Sequence, residues 1–244
     1  MRNIKLVIEY SGSNFFGWQK QAGKRTIQEE IERVLEHILK EKTKIIGAGR
    51  TDAGVHAMGQ VANFYTDKSI KCAELLMAIN SIIEKDITIL SVEDVDNDFH
   101  ARKSATAKHY RYIVNNSKIH SALNQNREML FKYNLDIEVM NIAKNDLLGK
   151  HDFVAFKAAG SNVSNTERTI YELKINKLGN RIVFDIVGNG FMYNMVRIIV
   201  GTLLDIGSGK LEISTIKKMI EKGERTLGGQ TVPPDGLYMV SVKY

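Results

Sequence analysis

At 244 residues the chain can bury a sizeable core, in one large domain or two small ones. Apolar content of 43% and charged content of 25% are ordinary globular values. Thirty-four Lys and Arg against 28 Asp and Glu leave a net charge of +6, which tilts only weakly toward a polyanionic partner. The single cysteine, Cys72, excludes an intramolecular disulfide and points to a reducing, cytoplasmic setting. No apolar run approaches the roughly 18 residues of a spanning helix, and no signal-peptide core precedes the first strand, so no membrane is expected. The six histidines show no paired metal spacing, and neither a metal nor a cofactor is expected.

The chain opens on a strand, Ile4–Tyr10, in which Ile4, Leu6, Ile8 and Tyr10 alternate with Lys5, Val7 and Glu9. A loop over 11–23 carries Phe15, Phe16 and Trp18, and Trp18 reads as a lid over the local core rather than a stacking platform. Thr26-Ile27-Gln28-Glu29 is a capping box, and the helix it opens repeats Ile27, Ile31, Val34, Leu35, Ile38 and Leu39 on one face. Lys44-Ile45-Ile46 ends a strand, a glycine-rich loop follows, and Gln60–Thr66 is the next strand. A helix over Cys72–Ile83 buries Leu75, Leu76, Ile79 and Ile83, with Cys72 read as core rather than as a catalyst. Ile87–Val95 is another strand.

The second half repeats this style. A strand runs through Lys108–Val114, and Asn115–Lys132 is the least regular stretch, a boundary or an insertion. Asp136 caps a helix to Leu148 that Gly149 ends. Thr169–Asn176 and Arg181–Val187 form a hairpin about Leu178-Gly179-Asn180. Phe191–Ile206 is a strongly apolar helix, Ile213–Glu221 a last amphipathic one, and Gly236–Tyr244 a closing strand. The fold class is therefore α+β. It divides into residues 1–104, which carry the glycine loop, and residues 105–244.

Three features bear on chemistry. In Gly47-Ala48-Gly49-Arg50-Thr51-Asp52-Ala53-Gly54-Val55-His56-Ala57, glycines flank a carboxylate two residues from a cation. Asp52, with an unperturbed pKa of about 3.9, is ionised at neutral pH and suits nucleophile or base work. Taken alone, Asp-Ala-Gly is most often a turn that caps itself. A dinucleotide fingerprint fails because Asp52 stands at its third glycine, and no Gly-Lys-Ser/Thr follows. Tyr110 and Tyr112 share one face of a strand, with Arg102, Lys103, Lys108 and Arg111 nearby. That combination suits a base that has left its stack, although, taken alone, a cross-strand tyrosine pair on an ordinary half-buried strand explains it better. Arg197 is the one formal charge between Phe191 and Leu204 and should be paired, because an unpaired buried charge is strongly penalised. An Arg–Asp pair at about 4 Å gains roughly 4 kcal/mol before desolvation, but composition does not choose Asp52 among the 28 acids.

Gly49–Ala57 resembles the nucleophile motif of the pseudouridine synthase A (TruA) family of tRNA-modifying enzymes. Phe16-Gly17-Trp18-Gln19 with Thr26-Ile27-Gln28 is similar to the family's opening. Phe99-His100-Ala101-Arg102 with Lys108-His109-Tyr110-Arg111-Tyr112 resembles its second motif. Asn194–Gly201 resembles the third, and Gly236-Leu237-Tyr238 the last. The motifs fall in the family's order and span essentially the whole chain. Val232-Pro233-Pro234 departs slightly, since Ala is expected before the first proline.

The resemblance implies isomerisation of uridine to pseudouridine in the tRNA anticodon arm, around positions 38 to 40, without cofactor or metal. It makes Asp52 the catalytic aspartate, acting by attack on a carbon centre or by removal of a sugar proton. Tyr110 would stack on the flipped uracil and relay the C5 proton, and Arg197 would hold Asp52. Leu237 would line the apolar pocket, and Arg50 would touch the backbone phosphate. The implied fold is two similar halves, each an antiparallel sheet with helices, joined in a continuous sheet with a central basic cleft. A homodimer is implied as well. Lys20, Lys24, Arg25, Lys103 and Lys157 are candidates for tracking phosphates. The rival class is an RNA-binding chaperone, which would gain nothing from an anionic Asp52 facing phosphates.

Overall fold

In the computed structural model, which describes residues 1–158, 160 and 164–244, the first apolar alternation becomes strand β1 (Arg2–Tyr10). Ile4, Leu6, Ile8 and Tyr10 are buried. Helix α1 (Ile27–Leu39) follows and buries Ile27, Ile31, Val34, Leu35 and Leu39. Thr26 occupies its N-cap, but the capping box does not form. The Thr26 hydroxyl is buried with no hydrogen-bond partner among the described residues, and Glu29 reaches Lys20 at 3.3 Å. Loop carbonyls take over the cap: Ile27 N donates to Gly17 O and Gln28 N to Trp18 O, which satisfies first-turn donors that a side chain would otherwise serve.

Strand β2 is only Ile46–Gly47, and β3 (His56–Thr66) begins earlier than its apolar run suggests. Strand β4 (Ile87–Val95) stands as the sequence predicts, and helix α2 (Cys72–Ile82) ends one residue early with Leu76 only half-buried. Cys72 is not core, however. It lies half-buried at the start of α2, where its thiol donates to Asp94 Oδ2 at 3.2 Å, and Arg2 grips the same carboxylate through two nitrogens. Burial and the Asp94 carboxylate push the thiol pKa up, which keeps it protonated and inert.

The remaining elements are β5 (Ala107–Asn115), β6 (Met129–Leu130), α3 (Ile137–Ala143), β7 (Gly149–Asp152), β8 (Glu167–Leu178), β9 (Arg181–Gly188), α4 (Met195–Gly207), α5 (Thr215–Lys222) and β10 (Leu237–Lys243). The residues group into two units, Met1–Thr106 with Tyr238–Tyr244, and Ala107–Leu237. The closing strand thus counts with the first unit, whereas a division at 104/105 gives it to the second.

In the first unit the strand order is β4-β1-β3-β10, with β2 on β3. Neighbours are antiparallel except β3 and β10, which pair in parallel through Tyr238 with His56 and Met239 with Ala57. In the second unit β5-β9-β8-β7 is antiparallel, and the short β6 joins β5 in parallel. Helix α3 ends at Ala143 and tightens into a 3-10 turn through Leu147, short of the Leu148 expected. Helix α4 starts at Met195 rather than Phe191, because Asn194 adopts the left-handed conformation at φ 61° and blocks helix before it. Among the described residues no helix is long and apolar enough to cross a membrane, and no cluster of His, Cys, Asp and Glu could hold a metal ion.

Candidate active site

Asp52 lies on the stretch between β2 and β3, half-buried, with Arg50 exposed two residues before it. The backbone turns at Asp52, whose carbonyl accepts from Val55 N at 3.1 Å. Below the turn runs the 11–19 segment. Trp18 is buried, as the lid reading expects, and its backbone N donates to Thr51 O at 3.0 Å. Phe15 is buried too, and its carbonyl accepts from Gly54 N at 3.3 Å, while Phe16 is exposed.

Side chains complete the support. Gln60 Nε2 donates to Gly49 O at 2.9 Å, and the Tyr10 and Thr51 hydroxyls meet at 2.7 Å. Gly12 N donates to His56 Nδ1 at 3.1 Å, which leaves that nitrogen unprotonated, and the His56 ring stacks on Tyr238 at 4.7 Å. Tyr10, Gln60 and His56 are all buried. Sequence reading gave none of them a part in supporting the loop, since Gln60 is one of several polar residues buried in β3.

In the second unit Tyr110 stands on β5 opposite Ile186, 8% exposed, with its ring edge-on to Phe191 at 5.2 Å. Tyr112 shares that face but is committed to structure: its hydroxyl donates to Pro233 O at 2.7 Å, and burial raises its pKa far above the tyrosine range. The cations between these tyrosines do not all serve one purpose. Arg111 and His109 converge from the opposite face on Asp185, at 2.9 and 2.6 Å, so Arg111 is a cross-strand ion-pair partner rather than a phosphate ligand.

Arg197 projects from the first turn of α4. Its Nε donates to Val232 O at 2.7 Å and one terminal nitrogen to Asn194 Oδ1 at 2.6 Å. Leu237 is buried, just after a one-turn 3-10 segment at Pro234–Gly236. The 232–236 segment therefore links the elements bearing these three residues, because Val232 is held by Arg197 and Pro233 by Tyr112.

Of the surface cations, Arg25 is structural. It bonds Asp86 through two nitrogens and lies 4.1 Å from the Phe15 ring centroid. Lys20 pairs with Glu29, and Lys24 sits 4.3 Å from the centroid of the exposed Phe16 ring. Lys103 is exposed and Lys157 half-buried.

A half-buried carboxylate on a turn clamped from below can act as nucleophile or base toward a group entering from the exposed side. Comparison with known proteins identifies the family of the chain. The family described as tRNA pseudouridine synthase matches residues 6–102 and 143–244. The tRNA pseudouridine synthase A of Acetivibrio thermocellus is 46% identical, and that of Thermoanaerobacter sp. strain X514 is 44% identical. The protein named tRNA pseudouridine synthase A 2 in Clostridium perfringens is 46% identical. In all three the alignment covers 100% of both chains. A solved chain from a Cbf5-Nop10-Gar1 complex matches at 12% identity with a TM-score of 0.37, over 96% of this chain and 57% of that one, too distant a likeness to carry a conclusion. With residues 6–102 and 143–244 matched by the family and relatives of 44–46% identity covered over their full length, the chain belongs to the tRNA pseudouridine synthase family.

Proposed function

We propose that this chain isomerises uridine to pseudouridine in the anticodon stem-loop of tRNA, around positions 38 to 40, with Asp52 as the catalytic carboxylate. The observation that carries this reading is the full-length identity of 44–46% to proteins of that name. The clamped, half-buried turn at Asp52 supports it.

The chemistry is an isomerisation. The N1–C1′ bond breaks, the uracil rotates, and C5 bonds to C1′ while its proton leaves and N1 gains one. An ionised carboxylate begins this by attacking a carbon centre or by taking a sugar proton, and Asp52 is suited to both. The target base must leave its stack to reach a side chain on a protein loop. Tyr110 is assigned to stack on that base and relay the C5 proton. Arg197 is assigned to hold Asp52 and to assist extrusion, Leu237 to line the apolar side of the pocket, and Arg50 to meet a backbone phosphate. The reading extends to a homodimer, so that one tRNA touches both subunits, and to the cytoplasm, where its substrate matures.

The test is tritium release from tRNA labelled at uridine C5, with wild type and Asp52→Ala side by side. Wild type should release label at the anticodon-arm uridines, and Asp52→Ala should be slower by at least about 10³-fold at equal tRNA binding. Tight, salt-sensitive binding without release by wild type would replace catalysis with the chaperone reading. Release by the variant at a rate close to wild type would remove Asp52 from its role.

A further inference from the structure

The geometry points to Tyr10 as a positioning residue for the reaction, holding Arg50 and Asp52 in place through the hydroxyl of Thr51. This rests on the reading of Asp52 as the catalytic carboxylate.

Tyr10 is the last residue of β1 and continues the buried row of Ile4, Leu6 and Ile8. Packing alone asks for an apolar side chain there. A hydroxyl at a site 3% exposed is costly unless it is bonded, and this one is bonded to Thr51 Oγ1 at 2.7 Å. Its direction comes from an irregularity in the sheet. Ile8 faces Gln60 on β3 but Tyr10 faces Ala57, so the register slips between them, and such slips re-aim a side chain. Burial raises the phenol pKa well above the tyrosine range, with side-chain bonds to Thr51 and Gln60 opposing it, so the group stays protonated across the working pH range.

Thr51 is the one residue between Arg50 and Asp52, and it is itself buried. Its backbone carbonyl is taken by Trp18 N and its side chain by Tyr10. On the other side of Arg50, Gly49 O is taken by Gln60 Nε2. The Gly49–Arg50 and Thr51–Asp52 peptide units are thus fixed from inside the protein while the Arg50 side chain is exposed, and Asp52 belongs to the second of these units. Tyr10 is 3% and Gln60 0% exposed, too little to touch RNA, so their effect passes through the loop. A reacting carboxylate misplaced by about 1 Å loses on the order of 10²-fold in rate.

The experiment measures single-turnover tritium release at saturating enzyme, tRNA Kd by filter binding, and thermal midpoint. The proteins are wild type, Tyr10→Phe, Thr51→Val, Thr51→Ser, the Tyr10→Phe/Thr51→Val double variant, and Asp52→Ala. Tyr10→Phe and Thr51→Val should slow turnover by about ten- to a hundredfold and leave Kd within about twofold. The double variant should be no slower than the slower single, because both cut the same bond. Thr51→Ser, which keeps the hydroxyl, should recover most of the rate, and a purely structural role would not produce that recovery. Tyr10→Phe turning over at the wild-type rate beside an inactive Asp52→Ala would overturn the positioning role alone. So would rate losses that multiply in the double variant. An active Asp52→Ala would overturn the reading of the site and Tyr10's role with it. Should Tyr10→Phe fail to fold, the Thr51→Val and Thr51→Ser pair decides the question by itself.

Discussion

Asp52 sits on a stretch with no regular backbone pattern, whereas Arg197 rises from a thirteen-residue helix in which the other twelve residues are buried. The loop is held by discrete polar bonds to Tyr10, Gln60, Trp18 and Phe15. Helix α4 is held mainly by close packing, to which Thr202 and Asp205, accepting from Gly229 N and Gln230 N, and Arg197, bonded to Asn194 and Val232, add local polar bonds. The first arrangement is broken by removing one atom that bonds. The second is broken by adding one atom that does not fit.

The largest effect should come from adding such an atom to α4. A Cβ on Gly201 would lie 1.8 Å from Gln230 O and 3.3 Å from Val232 Cγ1. A backbone carbonyl cannot swing aside as a side chain can, so either the helix or the 230–232 segment must move. Gly201→Ala should cost about 3 kcal/mol, read as a lower denaturation midpoint at unchanged slope. Activity should fall as well, since Val232 O is the acceptor for Arg197. A neutral Gly201→Ala would mean that α4 is not held by close packing.

Gly17→Ala probes the loop's support from its own side. Gly17 has φ +87°, a conformation that costs an L-residue roughly 1–2 kcal/mol, and a Cβ there would meet Thr51 O at 2.6 Å. The expected stability loss is about 2 kcal/mol. Turnover should drop further than that loss explains when assayed well below the unfolding transition, because the displaced atom belongs to the residue before Asp52. Full turnover by folded Gly17→Ala would show that the loop tolerates displacement and would weaken the contrast with α4.

The same contrast explains what could be read from the sequence. The burial of α4, the alternation in β1 and the apolar face of α1 all follow from periodicity, which records packing. The bonds around Asp52 leave no periodic trace. Tyr10 continues an apolar row, and Gln60 is one of several polar residues in a long strand, so neither announces that it reaches a loop from a neighbouring element. The glycine-rich motif could be located and its chemistry inferred from family resemblance, but its support is tertiary. Local signals also misled where tertiary bonds compete. Thr26-Ile27-Gln28-Glu29 has the letters of a capping box, yet Gly17 and Trp18 carbonyls reach the first-turn donors. Phe191-Met192-Tyr193 has the apolarity of a helix, yet Asn194 turns the chain the other way before α4 begins.

The smallest expected effects separate a helix capped by its own side chain from one capped by the loop. Asp136 Oδ1 accepts from Glu138 N at 2.9 Å and Val139 N at 3.0 Å at the start of α3, and Asp136→Ala should cost about 1 kcal/mol. Thr26 stands at the corresponding place on α1 with its hydroxyl buried and no hydrogen-bond partner among the described residues. Thr26→Val replaces that hydroxyl with a methyl of nearly the same size, so no bond is lost and the cost of burying an unpaired polar atom is removed. Its denaturation midpoint should equal the wild-type value or rise slightly. A loss comparable to that of Asp136→Ala would show that the Thr26 hydroxyl does cap α1 in solution. The Gly17 and Trp18 carbonyls would then be secondary, and the first turn of α1 would no longer depend on the segment that also supports Asp52.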